Sequence, residues 1–207
     1  SVRQQLQTWN QPYHYHDIYG TSPNMHELFS ILEKIKDYDL PVLIQGESGT
    51  GKELIARAIH QASTRHDFPL VCENCAAIPE PLFESELFGH EKGAFSGAVQ
   101  QKKGLVEEAQ QGTLFLDEVG ELSLESQKKL LRVLAEKKVR RVGGHEVIAV
   151  DVRILAATNC DLKKMVADGK TVKLHLDNQL GIEVKFPFSK VIFEFGSYAR
   201  ANNDTAA

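Results

Sequence analysis

A short apolar run, Val42-Leu43-Ile44-Gln45, enters the turn Gly46-Glu47-Ser48-Gly49-Thr50-Gly51-Lys52-Glu53 and leaves it through Leu54, Ile55, Ala58 and Ile59, which share helical spacing. No other feature constrains the fold as tightly. Four apolar or half-polar residues between Pro41 and Gly46 fit a parallel strand covered on both faces. The turn has the spacing G-x-x-x-x-G-K. Its glycines permit a tight path that turns successive N–H groups toward phosphate oxygens, the helix N-terminus adds its positive end, and Lys52 can reach β- and γ-phosphates. Position 53 is a glutamate, where a serine or threonine would offer Mg2+ a hydroxyl. Taken alone, an unrelated glycine-rich turn fits the same letters.

The next motif narrows the choice. Thr113-Leu114-Phe115-Leu116-Asp117-Glu118 is an apolar strand that ends in two acids, which places carboxylates at the edge where open α/β sheets bind ligands. There Asp117 is suited to hold Mg2+, directly or through water, and Glu118 to orient and deprotonate an attacking water. Asn159 closes a further strand candidate, 152–157, at the same edge, where a neutral amide can contact a phosphate or water without repelling either. A second strand is expected over 68–71, helices over 53–62 and 127–137, and a hairpin with arms 139–142 and 147–150 around Gly143-Gly144. Strand–helix alternation of this kind argues for a parallel sheet with helices on both faces.

Composition adds exclusions. The chain has 207 residues with a formal charge of −4, so no global positive field draws it to nucleic acid or anionic lipid. No apolar run approaches the roughly 20 residues of a membrane helix, and no signal peptide opens the sequence, so a cytoplasmic setting without a membrane partner is the expectation. Three cysteines cannot build a disulfide framework, and the Cys72-x-x-Cys75 spacing has no second pair to complete a zinc site. Residues 1–17 are polar and glutamine-rich and read as a linker, with Tyr13, His14, Tyr15 and His16 as surface. The α/β alternation fills 18–169.

About forty residues separate the second strand from the acidic one, too many for a plain crossover. They include Glu84-Ser85-Glu86-Leu87-Phe88-Gly89-His90-Glu91-Lys92 and then Gly93-Ala94-Phe95-Ser96-Gly97-Ala98. The glycines bracket a small apolar tip that carries Phe95. It is either a loop buried under other elements or a mobile contact loop.

Together GESGTGKE, NCAAIP (74–79), ESELFGHEKGAFSGA, GTLFLDEVGEL (112–122), LLRVL, RVGG and DVRILAATN resemble the AAA+ central domain of bacterial sigma-54-dependent transcriptional activators, the enhancer-binding proteins, from Asp17 to Gly169. The resemblance implies a P-loop ATPase with ATP and Mg2+ as ligands, in rings that hydrolyse ATP between subunits and remodel sigma-54 RNA polymerase. Carried over by position, residues 46–53 bind the phosphates, Asp117 and Glu118 serve Mg2+ and water, and Asn74 restrains Glu118. Thr158 and Asn159 sense the γ-phosphate, Ile18, Tyr19 and Gly20 lie near adenine, and the loop of Phe95 and Ser96 meets sigma-54. Ser96 stands where the family's usual loop has threonine. A glutamate at position 53 is normal there.

After Gly169 the pattern departs. The family continues with a segment like F-R-x-D-L-Y-Y-R-L, and this chain reads Lys170-Thr171-Val172-Lys173-Leu174-His175-Leu176. The inter-subunit arginines are missing from that stretch, and no helical lid or DNA-binding helix-turn-helix is recognisable in 170–207. Loss of an arginine finger costs on the order of 10³–10⁵ in rate in enzymes that use one. The expectation is therefore split between an ATPase that works alone or in mixed rings with intact activators, a hydrolysis-deficient ATP-binding module, and a remodeller of some other protein. Within the tail, Val172/Leu174/Leu176, Ile182/Val184/Phe186/Phe188 and Val191/Phe193/Phe195 alternate with period two, which predicts three short strands in a meander.

Overall fold

The structure, a computed structural model, describes residues 13–161, Lys164 and the strand Ile182–Lys185. The elements run β1 (Tyr13–Tyr15), β2 (Ile18–Gly20), α1 (Pro23–Ile35), β3 (Val42–Gln45), α2 (Lys52–Ala62), β4 (Leu70–Asn74) and α3 (Glu80–Phe88). They continue with α4 (Leu105–Glu108), β5 (Thr113–Asp117), α5 (Leu124–Glu136), β6 (Lys138–Val139), β7 (Ile148–Ala149), β8 (Arg153–Thr158) and β9 (Ile182–Lys185). Five strands form one sheet in the order β4-β5-β8-β3-β9, every pair parallel.

Period-two alternation divides the core between the two faces. Val42, Ile44, Phe115, Leu155 and Ala157 pack with Leu28, Phe29 and Leu32 of α1 and Ile55 and Ile59 of α2. Leu114, Leu116 and Ile154, one residue out of phase, pack with Phe83 and Leu87 of α3 and Leu130 and Val133 of α5. Local chemistry sets the helix starts: Ser22 Oγ accepts from Met25 N at 3.3 Å ahead of Pro23, and Ser123 Oγ accepts from Ser126 N at 3.3 Å.

Three expectations shift. The second strand runs Leu70–Asn74 rather than 68–71, and Phe68 is left 42% exposed, because this strand lies at the sheet edge with half-exposed residues. The hairpin pairs only at Lys138↔Ala149 and Val139↔Ile148, since Val142 is drawn into a bridge with His90. In the tail, Ile182–Lys185 is a strand, but it joins the main sheet beside β3, Lys185 in register with Gln45. The other two expected tail strands lie outside the described residues. Tyr15, ahead of residue 17, is buried and stacks on Phe29 at 5.7 Å between ring centroids, so this part of the aromatic–histidine patch belongs to the core.

Candidate functional site

The parallel register brings the ends of four strands to one edge. Asn74 lies opposite Asp117, and Gln45 opposite Thr158. Gln45 Nε2 donates to Cys160 O at 2.8 Å, and Gly46 N to Thr158 O at 3.1 Å, tying the start of the glycine-rich turn to the end of β8. Within that turn Gly49 and Gly51 hold φ of +79° and +90°, which glycine adopts without a steric penalty, and α2 begins at Lys52.

Lys52 is the centre of this edge. Its side chain is buried, and a buried ammonium needs acceptors. Nζ donates to Gly46 O and Glu47 O, both at 3.2 Å, and reaches Glu118 Oε1 at 3.5 Å. The other Glu118 oxygen, Oε2, accepts from Asn159 N at 3.2 Å. Asp117 Oδ1 accepts from Glu118 N at 2.9 Å. Glu118 itself has φ 53° and ψ 46°, a left-handed conformation that costs a non-glycine residue on the order of 1 kcal/mol and turns its carboxylate back over the edge.

Other expected site residues are placed as follows. Asn74 is exposed and its Oδ1 accepts from Ala76 N at 2.9 Å, so the amide caps its own turn while Lys52 and Asn159 hold Glu118. Thr158 is buried and its Oγ1 accepts from Cys160 N at 3.0 Å, whereas Asn159 is exposed. Glu53 is exposed and takes two hydrogen bonds from Arg57, at 3.0 and 2.7 Å. Ile18 is buried and Tyr19 is 72% exposed, its ring 4.8 Å from that of His14. Burial pushes the Cys75 thiol up to about 12, with Glu73 and Asp117 adding to it, and burial raises Cys72 as well. Both remain thiols near neutrality, a poor start for thiolate ligation.

The loop between α3 and α4 has a fixed base and an exposed tip. A Cβ on Gly104 would lie 2.3 Å from Gly89 N, so the two ends cross in backbone contact. His90 and Lys102 exchange two hydrogen bonds of 3.0 Å, and Glu91 N donates to Val142 O at 3.0 Å. Arg141, from the turn after β6, donates to both oxygens of Glu107 at 2.8 and 2.7 Å and to Glu91 at 3.0 Å. At the tip, Phe95, Ser96 and Gly97 are exposed, and Ala98 is buried. Spacing alone did not reveal Arg141, Ser85 or His90, because their partners lie on other elements. The one signal was charge: Arg141 sits among cations, while its partners are an acid of the loop, Glu91, and an acid of α4, Glu107.

The family model that matches is the sigma-54 interaction domain, over residues 18–177. The chain belongs to the sigma-54 interaction domain family. It is 56% identical over 154 residues to the Nif-specific regulatory protein of Azospirillum brasilense, covering 74% of this chain and 25% of that protein. It is 52% identical over 168 residues to the regulatory protein AtoC of Escherichia coli K12, covering 81% of this chain and 36% of that one. The crystal structure of NtrX from Brucella abortus in complex with ATP superposes with a TM-score of 0.73 at 36% identity, covering 90% of this chain and 39% of NtrX. The chain thus spans about a quarter to two fifths of these relatives. The fold is that of a P-loop NTPase. Among the described residues of this sigma-54 interaction domain, no helix is long and apolar enough to cross a membrane.

Proposed function

We propose that this sigma-54 interaction domain binds ATP with Mg2+, hydrolyses it at subunit boundaries of a ring, and couples hydrolysis to remodelling of sigma-54 RNA polymerase. One observation carries the reading: Lys52 and Glu118, 66 residues apart, meet at 3.5 Å over the carboxyl edge of the sheet, beside the N-terminus of α2. Lys52 is the cation for β- and γ-phosphates, and the N–H groups of Gly46 to Glu53 are the cradle. Glu118, freed from Lys52, is the base for the attacking water, with Asn159 N as its second anchor, and Asn74 restrains it once its amide leaves Ala76 N. Thr158 holds the Asn159 turn in place. Ile18, Tyr19 and Gly20 border the adenine.

Among the described residues no cluster of three or more metal-ligating side chains occurs. Mg2+ needs no such cluster, being held by one or two carboxylates together with substrate phosphates. Asp117, at the strand end, would hold it, and position 53, a glutamate paired to Arg57, has no hydroxyl to offer. Bound there, it would neutralise charge on the phosphates. ATP bound to NtrX supports the nucleotide, and the loop tip at Phe95 and Ser96 supports the sigma-54 contact.

The alternative is a hydrolysis-deficient module, favoured by the absence of arginine from Lys170 to Leu176. Steady-state ATP turnover across a protein-concentration series, with Glu118→Gln as the blank and nucleotide binding in parallel, separates the two. Turnover rising with concentration supports the inter-subunit ATPase. Binding without turnover, alone or mixed with an intact activator, overturns it in favour of the module.

A further inference from the structure

Phe95 is not free in solvent. It is 38% exposed, and its ring lies edge-on to the imidazole of His90, with centroids 5.0 Å apart and planes at 64°. Edge-to-face aromatic pairs of this separation are attractive beyond the area they bury. The imidazole is in turn fixed from below, because Ser85 Oγ lies 2.7 Å from His90 Nδ1 in a hydrogen bond. Ser85 is buried on α3, and its own position is set by Phe83, Leu87 and Phe88, which pack against the β5 residues Leu114 and Leu116. Two residues after Leu116 comes Glu118. A contiguous line of packed groups therefore runs from the strand that ends in the acidic pair, through α3, to the ring under the loop tip.

The outer tip is open where its root is not. Ala94 sits against Gly143, where an added Cβ would lie 2.7 Å from Ala94 Cβ, while Phe95 to Gly97 are exposed and Gly93 and Gly97 have nothing within 4 Å of a would-be Cβ. The turn is closed by its own Gly93 N to Ala98 O bond of 2.8 Å, and the base is held by the Gly89–Gly104 crossing, the His90–Lys102 pair and Arg141. We propose that Ser85 and His90 are positioning residues for the contact loop: they hold the Phe95 ring down on the loop base, and the loop engages its partner only when that ring lifts away. The inference rests on the reading of Phe95 as the sigma-54 contact.

The test uses the full chain with Trp9→Phe, which removes its only tryptophan, and Phe95→Trp as reporter. Acrylamide quenching of the indole reads the shielding at position 95, and amide exchange at His90 and Lys102 reads the loop base. His90→Asn keeps a hydrogen-bonding side chain and removes the ring. It is expected to raise the quenching constant roughly two- to threefold with base exchange unchanged, and Ser85→Ala to raise it by less. Equal quenching in parent and His90→Asn overturns the proposal. So does a rise accompanied by loss of base protection, which would make His90 a structural brace only.

Sigma-54 binding, with Phe95 retained, is the second arm. His90→Asn should tighten it roughly two- to tenfold, because the engaged conformation no longer has to be drawn from a minor population. Unchanged affinity despite raised quenching overturns the regulatory part. Phe95→Ala tests the underlying reading separately: undiminished sigma-54 binding in that variant sinks the contact assignment while leaving the quenching result standing.

Discussion

The turn over 46–52 and the loop over 89–104 are both marked by glycine, for opposite reasons. At Gly49 an added Cβ would meet nothing within 4 Å, and at Gly51 only Leu54 Cδ1 at 3.7 Å; what these sites require is positive φ. At Gly104 an added Cβ would lie 2.3 Å from Gly89 N and 2.4 Å from Phe88 C; what this site requires is the absence of a side chain. The first loop uses glycine to aim N–H groups into open space. The second uses it to press two chain ends together so that the loop leaves the body as one stiff neck. On the proposed reading, a loop that binds phosphates needs room for them, and a loop that pushes on a partner needs a base that does not yield.

Gly104→Ala is the strongest way to break this contrast. The clash is with backbone, which cannot rotate aside, so the variant should lose about 3 kcal/mol or more in urea unfolding. Next is Arg141→Met. The Arg141 and Glu107 side chains are 11% and 9% exposed, and removing the cation strands a nearly buried carboxylate, for an expected loss of about 2 kcal/mol. Arg141→Met with Glu107→Gln should recover part of that loss, and a double-mutant cycle measures the coupling. Gly49→Ala should cost only about 1 kcal/mol of stability, since strain in φ is its sole penalty. Its larger effect should appear as weakened ATP binding by titration calorimetry. If Gly49→Ala and Gly104→Ala destabilise equally, the contrast fails.

How much of this was legible in the sequence depends on whether a feature is local. β3 and β5 end where their apolar runs end, because Pro41, Gly46 and the Asp117-Glu118 pair punctuate them. β4 is harder to bound: its apolar run Leu70-Val71-Cys72 continues into Glu73 and Asn74, polar residues of a half-exposed edge strand, and Phe68 lies outside it beyond Pro69. Alternation over 182–185 shows a strand but not its neighbour, because a period of two assigns faces and is silent on pairing. The carboxyl edge proposed for nucleotide was legible as two motifs. That Glu118 would bond Lys52 and Asn159 N, and that Asn74 would cap its own turn, was not, since those choices depend on where a left-handed residue aims its side chain. The clamp of Arg141 on Glu91 and Glu107 joins residues 50 and 34 positions apart, beyond any local pattern.

The smallest expected effect lies at the amino end of the sheet, opposite the edge that carries Lys52 and Glu118. His60 is buried on α2, with Nδ1 3.0 Å from Thr113 Oγ1 at the start of β5. Burial lowers its pKa from the ordinary 6.5, and the charges of His66 and Arg153 act in the same direction. The groups around it therefore select the neutral ring. In the unfolded chain the imidazole binds its proton at the ordinary value, so below it the unfolded state holds more protons than the fold. Stability from this residue is complete above about pH 6.5 and declines as pH falls, by no more than about 1.4 kcal/mol per pH unit. His60→Gln, which can still meet the Thr113 hydroxyl but does not titrate, should lose less stability than the parent between pH 7.5 and 5.5 in urea melts. Parallel loss in the two proteins would assign the acid sensitivity to other groups. Because His60 touches neither loop, its variant should leave ATP binding at pH 7.5 unchanged, and a loss there would mean that strain at the sheet's amino end reaches the nucleotide edge through α2.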